Sequence, residues 1–414
     1  MKWREICLAA GWYVSIKSGH FSLNKDFCEF FPLVIVWHKV YFSQNTFIKV
    51  NRVTSMLGQR IHQARLAADL TLEALGQQLE VSKAAIQKYE KGKATPDSSK
   101  LLKIAKACGV RTEYFFRKST VTLSNIEFRK HSTFGKKRSD AIQIRITEMI
   151  EKRVELLNAF PELPIPHFAV PGCVPRQIED LDEIEGIAEN VRHAWELGLN
   201  PIADLTAELE PLGLLVMAVD VEHKAFSGMT ATAMTVDGQY YPVIVVSSRW
   251  PGDRQRFTLA HELAHVLFAG RLTDGVNEEK ACDRFAGAFL APRESVVKEL
   301  GSQRKRLEPQ ELYHLKHEYG LSMAGWVMRA FQCGVIHDGL REATMRMFSA
   351  RGWRTNEPGE VLPNEAPSLF EQLVYRALAE DLISEAKAAE LLGIPRMRFY
   401  RERLMESADA VTHQ

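Results

Sequence analysis

The stretch RFTLAHELAHVLF, residues 256–268, sets two histidines four positions apart with a glutamate between them, inside an otherwise apolar run. On a helix, positions i and i+4 lie one above the other, so His261 and His265 point off one face and can meet a single cation. H-E-x-x-H is the pattern of zinc-dependent peptide hydrolysis, in which the intervening carboxylate, here Glu262, serves as general base. Chance alone produces the pattern in about three or four chains per hundred of this size, so a second support is needed. The next helical segment, NEEKACDRFAGAFLAP (277–292), supplies one. A catalytic zinc takes three protein ligands and keeps a fourth position open, and a carboxylate on a neighbouring helix completes such a set. Glu278 and Glu279, at the start of that segment, are the candidate third ligands. The competing reading, a buried helix with two satisfied histidines, leaves several titratable groups in an apolar neighbourhood, which is costly without a cation.

Upstream, LNPIADLTAELEPLGLLVMAVDV (199–221) predicts a helix capped by Asn200, with Pro201 in its first turn, running to about Glu210, and then a strand from Leu214. GMTATAMTV (228–236) and YYPVIVVSS (240–248) read as two more strands, joined by a turn at DGQ (237–239). The order is α+β, with antiparallel strands between helices. A protein segment cleaved here would lie along an exposed strand edge, in VIVVSS or GMTATAM. An oxyanion stabiliser is sought among His314, His317, Tyr319 and Arg329. Cys282 reads as a small packing residue, because a fourth protein ligand would close the site.

RQRFTLAHELAHVLF followed by EKACDRFAGAFLAP resembles the ImmA/IrrE family of metallopeptidases, and the likeness extends over roughly residues 185–340, including YGLSMAGWVMRAFQCGVI. The resemblance implies a gluzincin-like fold, a Zn2+ ion on His261, His265 and Glu279, and Glu262 as base; Glu279 is preferred to Glu278 because it stands four residues before Asp283, as the ligand glutamate does in the gluzincin-type E-x-x-x-D segment. It also implies a protein substrate, either a repressor or a toxin–antitoxin partner.

The beginning of the chain is different in kind. From Met56 apolar residues recur at helical spacing, with Thr71, Ser82 and Asp97 as N-cap candidates and Gly92 and Gly109 as stops, so five short helices fit residues 56–117. Residues 56–118 hold 12 Lys+Arg against 6 Asp+Glu, a net of +6, whereas the whole chain is +1. A basic segment on a near-neutral chain points to a polyanion. TLEALGQQLEVSKAAIQKYEKGKATP (71–96) has the spacing of helix, tight turn and second helix. It resembles the phage-repressor (Cro/C1, or Xre) helix-turn-helix (HTH) through Leu75, Val81, Ser82, Ile86, Tyr89, Glu90, Gly92 and Pro96. It departs from that pattern at Leu72, where a phosphate-contacting glutamine is common, and at Glu80, where glycine is usual. The resemblance implies a double-stranded DNA operator. Lys83, Ala84 and Lys88 would face base edges, with Ser82 and Gln87 flanking and Lys93 near a phosphate. The periodicity agrees, since turning Ile86 and Tyr89 inward turns those residues outward.

Between the two modules, EFRKHSTFGKKRSD (127–140) is polar and basic, an amphipathic helix is expected over about 141–159, and FPELPIPHFAVPGCVP (160–175) carries five prolines. These read as a linker that permits cleavage within residues 118–139. The helix's apolar stripe, Ile142, Ile146, Met149, Ile150, Val154 and Leu157, fits core packing or a homodimer contact. The tail, FEQLVYRALAEDLISEAKAAELLGIPRMRFYRER (370–403), reads as three helical pieces ending near Glu380, Leu392 and Leu404. Arg396, Arg398 and Arg401 mark the last piece as an interaction helix or a second DNA reader.

The first 50 residues hold 11 of the chain's 38 aromatics, but FFPLVIVWHKVYF (30–42) is broken by Pro32, His38 and Lys39 and falls short of the ~20 residues of a membrane helix. No basic lead and cleavage site mark secretion, and the six cysteines form no C-x-x-C pair, so a reducing cytoplasm is expected. The expected architecture is multi-domain. An N-terminal extension (1–55), whose native start is expected near Met56, precedes an all-α HTH bundle (56–118) and a linker (119–178). An α+β gluzincin-like domain (179–345) and a helical tail (346–414) follow. The expected function is a DNA-binding regulator with a zinc endopeptidase domain. The alternative is a repressor or antitoxin whose metallopeptidase-like domain only senses or binds.

Overall fold

The computed structural model describes residues 56–116, 120–128, 136–221 and 226–405, with backbone alone at 127–128 and 136–140. The aromatic-rich segment 1–55 and the stretch 129–135, for which an extension and a tether are expected, lie outside these residues.

Four helices open the described chain: α1 (Met56–Ala67), α2 (Leu72–Gln78), α3 (Lys83–Glu90) and α4 (Ser98–Cys108), followed by a 3-10 turn (Thr112–Phe116). Each of the three expected caps accepts a backbone N–H: Thr71 from Ala74 at 3.0 Å, Ser82 from Ala85 at 3.2 Å and Asp97 from Lys100 at 2.8 Å. Ile61, Leu75, Leu79, Ile86, Leu101, Ile104 and Phe115 form the core. The α2–α3 turn is tight. A Cβ on Gly76 would stand 2.8 Å from the Val81 carbonyl oxygen, and Glu80 takes the left-handed conformation at φ 56°, which explains why glycine suits that position. Arg65 donates to buried Glu90 at 2.5 and 3.0 Å, and His62 Nδ1 lies 2.8 Å from the same carboxylate, tying α1 to α3. Burial alone would raise the Glu90 carboxyl, but the bonds from His62 and Arg65 outweigh it and hold it below its ordinary range.

Next comes a four-stranded sheet: β1 (Val121–Phe128), β2 (Leu215–Val219), β3 (Gly228–Thr235) and β4 (Tyr240–Ser247), in the order β1-β3-β4-β2. β1 runs antiparallel to β3 and β3 antiparallel to β4, but β2 runs parallel to β4. The expectation of antiparallel strands is therefore corrected for β2. The chain leaves β2, skips one place to lay down β3, and the hairpin returns β4 into the gap, alongside β2 and in its direction. Two more expectations change. The open edges are β1 and β2, so neither GMTATAM nor VIVVSS is an open edge. Residues 121–128, expected as part of a linker, are a paired strand.

Helices cover both faces. On one lie α5 (Lys136–Leu157), α14 (Leu369–Ala379), α15 (Glu385–Leu392) and α16 (Arg396–Arg403), which pack Ile146, Ile150, Val154, Val374, Ala389 and Phe399 against Met217, Val243 and Val245. The apolar stripe of α5 is thus consumed within the chain. The three tail helices fall where their periodicity puts them.

The opposite face carries α6 (Glu183–Ala194), α7 (Leu205–Leu209), α8 (Gly252–Phe268), α9 (Glu278–Leu290), α10 (Arg293–Leu300), α11 (Pro309–Tyr319), α12 (Met323–Gln332) and α13 (Asp338–Ala350). Val216, Ile244 and Val246 meet Leu259, Leu263 and Phe285 there. α7 starts later than the expected Asn200 cap. Asp204 accepts the Ala207 N–H at 3.0 Å, and Glu365 accepts those of Leu205 and Thr206 at 3.0 and 3.2 Å, so the carboxylates fix the first turn. The helical bundle is anchored to this body by a buried ion pair, Arg60 Nη2 on α1 donating to both carboxylate oxygens of Glu151 on α5 at 3.1 and 3.0 Å. Among the described residues no helix is long and apolar enough to cross a membrane.

Candidate metal centre and nucleic-acid interface

α8 buries Leu259, Ala260, Leu263, Ala264 and Leu267 in the core, which fixes the helix's rotation and turns His261 and His265 together towards α9. α9 begins at the Asn277 cap, whose side chain accepts the Lys280 N–H at 2.9 Å. That start places Glu278 and Glu279 in the first turn, where the helix dipole favours anions. Small residues, Ala260 and Ala264 on α8 and Ala281 and Cys282 on α9, are all buried in the shared core and allow a close approach.

The ligand-capable atoms of His261, His265 and Glu279 all lie within 4.8 Å of one another. The two Nε2 atoms are 3.2 Å apart, and Glu279 Oε2 is 3.6 Å from His261 Nε2. The far ring nitrogens are held too: His261 Nδ1 lies 2.8 Å from Asp283 and His265 Nδ1 3.0 Å from Glu278. A carboxylate only accepts, so it assigns the ring proton to Nδ1 and leaves a lone pair on each Nε2. The two Nε2 atoms, facing each other beside a carboxylate, form a donor set that a shared proton or a metal ion can hold together. Nitrogen and oxygen donors of this kind, with carboxylates behind the imidazoles, suit a zinc ion.

Glu262 is buried and packs against the start of β3. A Cβ on Gly228 would stand 3.0 Å from Glu262 Oε1 and 2.6 Å from Thr258 Cγ2, so only glycine leaves the carboxylate its place. Cys282 is fully buried, and burial pushes its thiol far above the usual range, keeping it neutral and in a packing role. Two of the four residues considered as oxyanion stabilisers are bonded to carboxylates elsewhere, and the other two pack against a tyrosine. Arg329 is buried and donates to Glu185 at 2.9 and 2.5 Å. The Tyr319 hydroxyl donates to Glu299 at 3.3 Å, and His314 and His317 lie beside Tyr313.

On the helical bundle, α3 presents Lys83, Ala84, Gln87 and Lys88 to solvent while Ile86 is buried and Tyr89 half-buried. Ser82 is exposed at the cap, Lys93 is exposed after α3, and Lys83 forms an ion pair with Glu73 of α2. All six residues expected to face DNA are thus exposed. Sequence reasoning missed the strand β1, although its alternation of Val121, Thr122, Leu123 and Ser124 has the period of a strand. It also missed that Glu278 and Asp283 stand behind the histidines.

Residues 61–115 match a helix-turn-helix family and residues 210–330 an IrrE N-terminal-like domain of the peptidase type. An HTH-type transcriptional regulator of Sinorhizobium fredii, y4wC, is 34% identical over 124 residues, 28% of this chain and 80% of that protein. The chain belongs to the HTH-type transcriptional regulators. In it the DNA-binding HTH is fused to an IrrE-like, metallopeptidase-like domain. A transcriptional regulator in the ATPase CF(0) region of Rhodospirillum rubrum is 42% identical over 67 residues, 16% of this chain, and the match spans 62% of that relative's length. A crystal structure of Bacillus thuringiensis PlcR with the peptide PapR7 and DNA covers 87% of this chain and 99% of its own, at 12% identity and a TM-score of 0.15, too low to bear on fold or function.

Proposed function

We propose that this regulator binds Zn2+ through His261, His265 and Glu279 and hydrolyses a peptide bond in a protein of repressor or toxin–antitoxin type, or in itself. The observation that carries the reading is the convergence of both histidine Nε2 atoms and the Glu279 carboxylate within 4.8 Å, with Asp283 and Glu278 on the opposite ring nitrogens. A zinc ion held there by His261, His265 and Glu279 would supply Lewis acidity. Asp283 and Glu278 keep the imidazoles in the tautomer that presents Nε2, and they raise ligand basicity. Glu262, buried beside Gly228, takes the proton from the attacking water and returns it to the leaving amine. On the HTH, Lys83, Ala84 and Lys88 read base edges in the major groove, with Ser82 and Gln87 flanking and Lys93 near a phosphate.

The test is cleavage of candidate repressor and antitoxin partners by the zinc-loaded full chain, compared with Glu262→Gln. That change removes the base and retains all three ligands. Fragments from wild type and none from the variant support hydrolysis. Full zinc in both proteins with no fragments from either would turn the account towards a domain that senses or binds without cutting.

A further inference from the structure

The strand next to the site is supplied by the wrong part of the chain for a simple linker. β1 follows directly from the HTH and pairs antiparallel with β3, from Val121 opposite Thr235 to Phe128 opposite Met229. The strand therefore travels along β3 towards Gly228, the residue against which Glu262 packs. Without β1, β3 would be the open edge of the sheet on the side where α8 presents the base. Such an edge is a template for any extended segment, because main-chain hydrogen bonds recognise a strand irrespective of its side chains.

β1 is the more exposed of the two strands. Of residues 121–126 only Val121 is buried; Leu123 and Ile126 are half-buried, and Thr122, Ser124 and Asn125 are exposed. β3, by contrast, is buried at six of its eight positions. The ladder is also broken. Between Ser124 and Glu127 the register slips by one, so that Asn125 and Ile126 stand against Ala231 alone, and Asn125 takes φ 49°. Such a bulge interrupts the ladder, which resumes with Glu127 opposite Thr230.

We propose that β1 occupies in cis the strand position that a protein substrate takes, and that the site accepts an extended segment laid antiparallel on β3 only when β1 lifts off. This rests on the peptide-hydrolysis reading for the site's chemistry, but the docking itself does not depend on it. A tethered strand competes at an effective concentration in the millimolar range, so a free segment at micromolar concentration loses to it. The HTH and the site are thereby linked, since the strand that must move is the direct continuation of the HTH.

The ladder tells which substitutions release β1 and which lock it. The Val236 N–H donates to the Thr120 carbonyl at 3.2 Å. Hydrogen-bonded pairs alternate, so Thr122 and Ser124 turn their N–H groups to β3, whereas Leu123 and Ala233 form a close pair without hydrogen bonds. Thr122→Pro with Ser124→Pro removes two ladder bonds. Leu123→Cys with Ala233→Cys closes a disulfide across the strands. The probe is a fluorescent peptide of this chain's own sequence TVTLSNIEF (120–128), read by anisotropy on chelator-treated full-length protein. The proline variant should bind it at least about tenfold more tightly than wild type, and the oxidised cysteine variant should bind none, returning to wild-type behaviour on reduction. Equal binding by wild type, reduced and oxidised cysteine protein and the proline variant overturns the proposal, and the cysteine arms decide it should the proline variant not fold. Cleavage, measured separately with zinc, keeps the two readings apart. Peptide binding without any cleavage sinks hydrolysis and leaves the docking site. Cleavage of a partner at one rate in the locked, wild-type and released forms sinks the cis occupant and leaves hydrolysis.

Discussion

Replacing Arg60 by methionine strikes the joint between the HTH and the body of the chain. Arg60 and Glu151 side chains are 3% and 8% exposed, and the guanidinium meets both carboxylate oxygens at 3.0–3.1 Å. An exposed pair contributes about 0–1 kcal/mol. Here the loss is larger, because Arg60→Met leaves a carboxylate in a place from which water is excluded. Truncating one partner of a buried pair costs about 3–5 kcal/mol, whereas replacing both by apolar residues is often neutral. The single variant should thus lower the melting temperature by roughly 6–20 °C, at about 2–4 °C per kcal/mol for a cooperative unit of 150–250 residues. Arg60→Met with Glu151→Leu should recover most of it. Differential scanning calorimetry gives the shift, and hydrogen–deuterium exchange should show protection lost first in α1 and α5. A single-variant loss under about 1 kcal/mol, or a double variant no better than the single, would refute the reasoning.

Other outcomes follow from the same geometry. Gly228→Ala puts a methyl 3.0 Å from Glu262 Oε1 and 2.6 Å from Thr258 Cγ2, and should abolish cleavage while zinc content stays at the wild-type level; undiminished turnover would remove Glu262 as base. Glu278→Ala should retain zinc at an affinity about 10–100-fold weaker, and Glu279→Ala should lose more; the reverse order in a competition titration exchanges their roles. Burial alone would raise the Glu185 carboxyl, but Arg329 and Arg284 hold it below its ordinary range. Its contribution to stability is therefore complete above the ordinary carboxylate range of about 4–5 and is lost as pH falls through the lowered value, so Glu185→Gln should flatten the acid limb of the stability profile. On DNA, Lys88→Ala should cost about 1–3 kcal/mol at one base pair, and Lys93→Ala should weaken all sequences alike and reduce the salt slope by about one; equal, sequence-independent losses would mean that α3 reads no bases.

The parts of the fold legible in sequence are those with strong local rules. The caps Thr71, Ser82 and Asp97 fell where expected because each is a short side chain that satisfies an orphan N–H two or three residues on. His261, Glu262 and His265 were legible because helical period alone puts two imidazoles on one face. Glu279 was separable from Glu278 only by its likeness to the gluzincin E-x-x-x-D segment, and the geometry shows why both had a claim: each lies at a histidine, one beside Nε2 of His261 and the other beside Nδ1 of His265. What sequence did not disclose was long-range pairing. The start of α7 depends on Glu365, some 160 residues away, and the placement of β4 between β2 and β3 depends on a crossover that no local pattern encodes. β1 was hidden for a further reason. Its short alternation sits beside the basic run from Arg129 to Arg138, and the composition of that run speaks for a tether.

Whether His261 and His265 share a metal ion is measured directly by elemental analysis of the purified full chain. About one zinc per chain is expected in wild type and in Glu262→Gln, and almost none in His261→Ala or His265→Ala. Wild-type protein that binds no divalent metal, or histidine variants that keep it undiminished, would contradict the account.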